Sequence, residues 1–311
     1  MVVWYVLLIV GFVLLVKGAD FFVDGSASVA KKLHVPSMII GLTIVAMGTS
    51  APECAVSISA SIKGSNAMAI SNVVGSNIFN LMVVCGFCAL FTPLVVDKKT
   101  LKREFPFSIL VAVLMLALGY FGMTLGRVDG LILLAVFVFF LVWMVKSALA
   151  ARESRQEEEV VAELGNLQCV IYILLGLAAI VIGGDLVVDS ATEIARNFGL
   201  SENLIGLTII AFGTSLPELV TSIVAAKKGE VDMALGNVIG SNIFNILLVA
   251  GAAAIVSPMA FLMENVVDLI VLIAMSILVL SFASSKKRIG RMEGVFMLLI
   301  YAAYIVYICN R

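Results

Sequence analysis

Two six-residue stretches hold the residues best suited to chemistry: Gly-Thr-Ser-Ala-Pro-Glu from Gly48 to Glu53, and Gly-Thr-Ser-Leu-Pro-Glu from Gly213 to Glu218. Each places a carboxylate, two hydroxyls and a proline within long apolar sequence. A charge at the centre of a bilayer costs about 2.5–3.5 kcal/mol on insertion scales, so an acid there is a functional candidate whose partner has to be found. Proline lacks an N–H and crowds the carbonyl four residues back, so Pro52 and Pro217 are expected to break a helix beside each acid. Carbonyls freed at that depth are tolerated only where protein buries them or where they line a watery cavity. Two such breaks, each with an acid, read as the halves of one ion site.

Glu53 and Glu218 brought face to face would repel at low dielectric, and a divalent cation would neutralise both. Calcium accepts six to eight oxygen ligands of carboxylate, carbonyl and hydroxyl type in flexible geometry. The motifs offer oxygens of these kinds, on Glu53, Glu218, Thr49, Ser50, Thr214 and Ser215, together with carbonyls released at the breaks. The histidines and clustered thiolates that zinc or copper favour are missing, so hard cations fit best. A second motif follows each first one: Asn72-Val-Val-Gly-Ser-Asn-Ile-Phe-Asn80 and Asn237-Val-Ile-Gly-Ser-Asn-Ile-Phe-Asn245. Gly75 and Gly240 permit close approach or a break, while Ser76, Asn80, Ser241 and Asn245 add neutral oxygens one helical turn apart. One copy could simply be helix packing. Two copies in register beside membrane acids favour a site.

The elements that must position these residues follow from composition. The 311 residues are 62 % hydrophobic and 13 % charged, with mean hydropathy +1.14 and net charge −1. That composition is far from the roughly 25 % charged of a soluble domain and marks an integral membrane protein. The apolar runs are too long for barrel strands and lack their polar alternation, which leaves helices. No nucleic-acid signal is present. At about 20 apolar residues per span, helices are expected near residues 2–31, 37–62, 67–92, 104–122 and 127–148, then 166–197, 203–227, 231–256, 264–283 and 291–309. The fold expected is all-α and membrane-embedded, with ten spans.

The chain aligns with itself at a shift of 165 residues without a gap from Asp20/Asp185 to Gly86/Gly251, and about 27 of the 46 positions from 41 to 86 are identical to their partners. A duplication produced the two halves. Residues 1–150 form a first five-helix repeat and 166–311 a second, joined by a short cytoplasmic linker at 151–165 whose charge run reads as solvated. An odd number of spans per repeat inverts the second half, as in transporters. The loop charges test this arrangement: with the N-terminus outside, about 15 Lys and Arg lie inside and 4 outside. Both termini are therefore expected outside.

The remaining polar residues receive plainer readings. Cys85 and Cys88 lack a companion pair or histidine and read as small buried apolar residues, not a metal or redox motif. His34, beside Lys31 and Lys32, reads as interfacial. The N-terminal apolar run has no basic leader and reads as a first span, not a signal peptide. The in-register acids Asp20, Asp24, Asp185 and Asp189 have glycine-rich neighbours and read as hydrogen-bonded or interfacial carboxylates at close helix contacts, in preference to direct ion ligands.

The paired Gly-Thr-Ser-x-Pro-Glu and Gly-Ser-Asn-Ile-Phe-Asn motifs resemble the α-repeats of the sodium/calcium exchanger family, within the cation/calcium antiporter superfamily. The resemblance covers nearly the whole chain and matches the short prokaryotic form, which implies a prokaryotic cytoplasmic membrane. It implies an antiporter exchanging calcium for sodium by alternating access, electrogenic, with no cofactor and no obligatory protein partner, its partners being the two ions and the bilayer. Glu53 and Glu218 would be the carboxylates shared by both ions. Thr49, Ser50, Ser76, Asn80, Thr214, Ser215, Ser241 and Asn245 would complete the cage, with carbonyls from Ala46 and Ala211. Some relatives, including potassium-dependent exchangers, have an aspartate where this chain has Asn245, so potassium independence is expected. Eukaryotic exchangers insert a large calcium-sensing region between the halves, which this linker is too short to hold.

Other classes fit less well. Proton/calcium antiporters resemble a Gly-Asn-x-x-Glu pattern, and the hydroxyl-rich version here suits sodium. A passive channel rarely uses inverted halves around a midplane site. An intramembrane protease is disfavoured because no H-E-x-x-H is present and Asp185 follows Ile-Gly-Gly. No enzyme activity is expected.

Overall fold

The computed structural model describes residues 2–64, 66–155, 164–199 and 211–310. The architecture is mostly helical. In the first half run α1 (Val2–Leu33), α2 (Ser37–Thr49), α3 (Ala51–Ile62), α4 (Met68–Phe91), α5 (Phe105–Tyr120) and α6 (Arg127–Arg155). In the second run α7 (Asn166–Asn197), α8 (Ala211–Gly213), α9 (Leu216–Lys227), α10 (Val231–Val256), α11 (Met263–Lys286) and α12 (Arg291–Cys309).

Among the described residues, 7 helices are long and apolar enough to cross a membrane, or 8 with α2 and α3 counted as one broken span. The other two expected spans fall short of that test for identifiable reasons. α5 has 16 residues, although a π-helical turn at Thr100–Glu104 leads into it. The span expected at 203–227 begins outside the described residues. α6 runs to Arg155, so the segment expected as a linker starts as helix, and residues 156–163 lie outside the description.

The break beside the first acid is real: α2 and α3 meet at an angle of 48°. Ser50 sits between them at φ −82°, ψ 7°, and Ser215 precedes α9 at φ −95°, ψ 6°. Each proline falls in the first turn of the following helix, where a missing N–H costs nothing because that donor has no helical acceptor. The proline thus starts a helix as well as ending one.

α4 and α10 form the centre. Each has 83 % of its span buried, against 33 % and 28 % for α1 and α7, and the polar residues buried on them include Asn77, Asn80, Asn242 and Asn245. α1 and α7 pack antiparallel at the periphery through glycines. A Cβ at Gly18 would lie 2.8 Å from the Gly176 carbonyl, and one at Gly176 would lie 2.7 Å from that of Gly18. No side chain fits there.

Reading the chain as all-α misses two small ribbons. Leu94–Val95 (β1) pairs antiparallel with Arg288–Ile289 (β4), and Thr124–Leu125 (β2) with Met259–Ala260 (β3). Two-residue strands carry no periodic signal, and their partners come from the other half of the chain.

Candidate functional site

Glu53 and Glu218 stand in the first turns of α3 and α9, and both are 0 % exposed. Among the described residues neither carboxylate pairs with a lysine or arginine. A buried, unpaired charge is expensive, so structures that hold one supply hydrogen bonds or a cation. The hydrogen bonds cross between the halves: the Ser50 hydroxyl donates to Glu218 Oε1 at 2.9 Å, and the Ser215 hydroxyl donates to Glu53 Oε1 at 3.0 Å. Each break motif therefore serves the acid of the other.

The second motifs brace this arrangement. Asn72 Nδ2 donates to the Ser57 hydroxyl at 2.9 Å and, more weakly, to the Glu53 carbonyl at 3.4 Å. Asn237 Nδ2 does the same with Ser222 at 2.9 Å and the Glu218 carbonyl at 3.5 Å. The Thr49 hydroxyl lies within reach of three acceptors, Asn237 Oδ1 at 3.0 Å, the Val45 carbonyl at 3.1 Å and, more weakly, the Ala46 carbonyl at 3.5 Å. α4 and α10 are joined reciprocally: Asn77 Nδ2 donates to the Asn242 carbonyl at 3.1 Å, and Asn242 Nδ2 to that of Asn77 at 3.2 Å. Asn245 Nδ2 donates to Asn77 Oδ1 at 3.2 Å.

Asn80 and Asn245 each open a π-helical turn, Asn80–Val84 and Asn245–Ala250. A third such turn, Gly41–Val45, leads into the first break motif. Turns of this type interrupt the regular ladder and recur at functional sites. α2 approaches α10 closely at Gly240, where a Cβ would lie 2.8 Å from both the Cβ of Ala46 and the carbonyl of Leu42. The Ala46 carbonyl accepts the Ser50 N–H at 3.0 Å, with the Thr49 hydroxyl a weaker second donor at 3.5 Å.

Several buried oxygens take part in no hydrogen bond among the described residues: Glu53 Oε2, Glu218 Oε2, Asn80 Oδ1, Asn245 Oδ1, Ser241 Oγ and Thr214 Oγ1. These six belong to the residues singled out by the motifs; Asn80 Nδ2 and oxygens of Ser26, Ser61, Glu104, Ser190, Thr192, Thr221 and Asn242 are buried and unpaired as well. Buried polar atoms are nearly always paired, so unpaired carboxylate, amide and hydroxyl oxygens repeated on both pairs of motifs call for an explanation. Oxygen donors of this kind fit a hard cation.

Of the residues expected in the site, Thr49, Ser50, Glu53, Ser215 and Glu218 are joined by direct bonds or through Asn237, and Asn245 is tied to α4 through Asn77. Ser76, Asn80 and Ser241 are buried on α4 and α10. Thr214 borders a cleft between α3 and α7, and Ala211 opens α8. Six bracing residues were not anticipated: Ser57, Asn72, Asn77, Ser222, Asn237 and Asn242. The signal for them was present, since each pair is identical at the 165-residue shift.

A family model described as sodium/calcium exchanger protein matches residues 3–146 and 169–310. The chain belongs to the sodium/calcium exchanger family. It is 42 % identical to a putative antiporter, CaxA, of Alkalimonas amylolytica over 98 % of both chains. It is 35 % identical to the sodium/calcium exchanger MaX1 of Methanosarcina acetivorans over 97 % of both. A solved structure of the sodium-calcium exchanger NCX_Mj, soaked with zero Na+ and Ca2+, superposes with a TM-score of 0.87 at 33 % identity, covering 99 % of this chain and 100 % of that one.

Proposed function

We propose that this protein is a secondary antiporter that exchanges calcium for sodium across a prokaryotic cytoplasmic membrane by alternating access. The observation that carries the reading is a pair of fully buried carboxylates, one from each half, each with one oxygen unpaired and with no basic partner among the described residues. Family membership supports the same ions. In this reading Glu53 and Glu218 neutralise one calcium, and Thr49, Ser50, Ser76, Asn80, Thr214, Ser215, Ser241 and Asn245 complete the cage, with carbonyls of Ala46 and Ala211. Neutral oxygens beyond the two carboxylates let sodium ions bind in excess of the charge they replace, which makes exchange electrogenic. With asparagine at 245 no third anion calls for potassium.

Residues 1–150 and 166–311 act as five-helix repeats of inverted topology, giving ten spans with both termini outside and a short cytoplasmic segment at 151–165. The experiment is calcium uptake into proteoliposomes under an imposed gradient of sodium, then protons, then potassium. Uptake driven by sodium alone is expected, together with a change in membrane potential. Uptake driven by protons alone would move the chain to the proton/calcium class.

A further inference from the structure

The in-register aspartates of α1 and α7 take no part in the site described above, yet they treat the two faces of the molecule differently. Lys228, the residue that caps α9, donates to Asp24 Oδ1 at 2.7 Å and to the backbone carbonyl of Asp20 at 3.1 Å, and lies 3.4 Å from Asp20 Oδ1. These contacts tie α1 to α9, along which α1 also packs.

At the 165-residue shift, Asp20, Asp24 and Lys228 become Asp185, Asp189 and Lys63. Lys63 caps α3 as Lys228 caps α9, both at φ −80°, ψ 0°, and each is followed by a glycine of positive φ, 74° at Gly64 and 84° at Gly229. Among the described residues, however, Lys63 has no ion pair, nor do Asp185 and Asp189. α7 stands away from α3 across a cleft of about 570 Å3, bordered by Gly184, Asp185, Val188 and Asp189 on one side and by Pro52 and Ala55 on the other. The cleft reaches Thr214 and Pro217 beside the candidate site. One face is latched; its equivalent is open.

We infer that Lys228 with Asp20 and Asp24, and Lys63 with Asp185 and Asp189, are paired gate latches that close in alternation, so that the open cleft shuts when Lys63 reaches the α7 aspartates and Lys228 releases those of α1. The inference rests on the alternating access proposed above. Because α1 and α7 are zipped together at glycines that admit no side chain, they move as one unit against α3 and α9. Closing one latch then draws the other apart. The side chains of Lys228, Asp20 and Asp24 are 30 %, 32 % and 47 % exposed, and a pair in such a setting biases an equilibrium by about two- to fivefold, enough to tilt a gate without freezing it.

The test is amine-specific labelling of the reconstituted full chain, read at Lys63 and Lys228 by mass spectrometry without any ion gradient. Asp20→Asn with Asp24→Asn should raise Lys228 labelling and lower Lys63 labelling by about two- to fivefold, because the population moves to the state in which Lys63 is latched. Asp185→Asn with Asp189→Asn should do the reverse at Lys228 while Lys63 stays reactive. Asp24→Glu should retain the original pattern. Where a double variant fails to insert, the single change Asp24→Asn is read in the same way and must shift Lys63 in the same direction. Unchanged Lys63 labelling in the α1 variants would overturn the inference, since a purely local ion pair has no means of altering the opposite face. The assay needs no transport: reciprocal labelling without sodium-driven flux would sink the exchange reading and keep the gate, and flux without reciprocal labelling would do the opposite.

Discussion

At the scale of single residues, the question is why two glutamates stay buried without a basic partner. Ser50 and Ser215 satisfy one oxygen of each carboxylate and leave the other unpaired. A single hydrogen bond does not offset the desolvation of a charge; in the proposed reading a bound cation does. Glu53→Gln and Glu218→Gln should each abolish sodium-driven calcium flux while the protein still inserts. In calorimetric melting they should also lose the stabilisation that a bound ion confers, about 2.7 kcal/mol at one hundred times Kd; a calcium-dependent rise in Tm that survives either change would remove the carboxylate from the site. Asn245 is the other informative position. Its side-chain nitrogen donates to Asn77 Oδ1, a bond that an ionised carboxylate could not make, and an added anion near two others favours proton uptake or recruitment of another cation. Calcium uptake by the unaltered protein should proceed with choline replacing potassium on both sides, and Asn245→Asp should make it sensitive to pH or to monovalent cations. A strict potassium requirement in the unaltered protein would show that the wrong role was assigned to this position.

At the scale of elements, the site depends on how closely α2 and α10 approach. Gly240→Ala puts a Cβ 2.8 Å from the backbone of Leu42, and overpacking of this kind costs about 1–3 kcal/mol. Gly184 on α7 makes a useful contrast, because the nearest atom to its added Cβ is Pro217 Cγ at 3.8 Å. Gly184→Ala should therefore keep or raise stability by up to about 1 kcal/mol through helix propensity. Equal losses of Tm in the two variants would show that close approach at Gly240 is not what positions the break motif. Asn77→Ala removes one of the reciprocal bonds between α4 and α10 and strands Asn245 Nδ2, so a loss of about 1–3 kcal/mol is expected for each buried group left unpaired. The acid-proline breaks and the asparagine motifs were legible in the primary sequence because their residue types are costly in a membrane. The ribbons at Leu94–Val95 and Thr124–Leu125 were not, since pairing over two residues has no local signature.

At the scale of the whole molecule, one cage serving two ions requires competition. If sodium and calcium draw on the same carboxylates, as proposed, each should weaken the other's apparent affinity by the same factor. Calcium titrations by calorimetry should weaken progressively with added sodium. An effect of protons with none of sodium would favour the proton/calcium alternative.

What the amino-acid sequence determined alone was the membrane environment, the helical class and the family, together with the internal self-similarity of its two halves. Backbone groups in a bilayer must bond within their own segment, so long apolar runs commit to helices, and a carboxylate written twice inside them is what led to the proposed cation site. Which partners those carboxylates take was decided by tertiary structure. Ser50 lies 168 residues from Glu218, and Ser215 lies 162 from Glu53; at such separations only the packing of α3 and α9 on α4 and α10 selects the cross-pairing over a bond within each motif. The difference between the two faces is likewise tertiary. Asp20, Asp24 and Lys228 are the same residue types at the same spacing as Asp185, Asp189 and Lys63, so local chemistry is equal on both sides. Here α1 packs along α9, whereas a cleft separates α7 from α3.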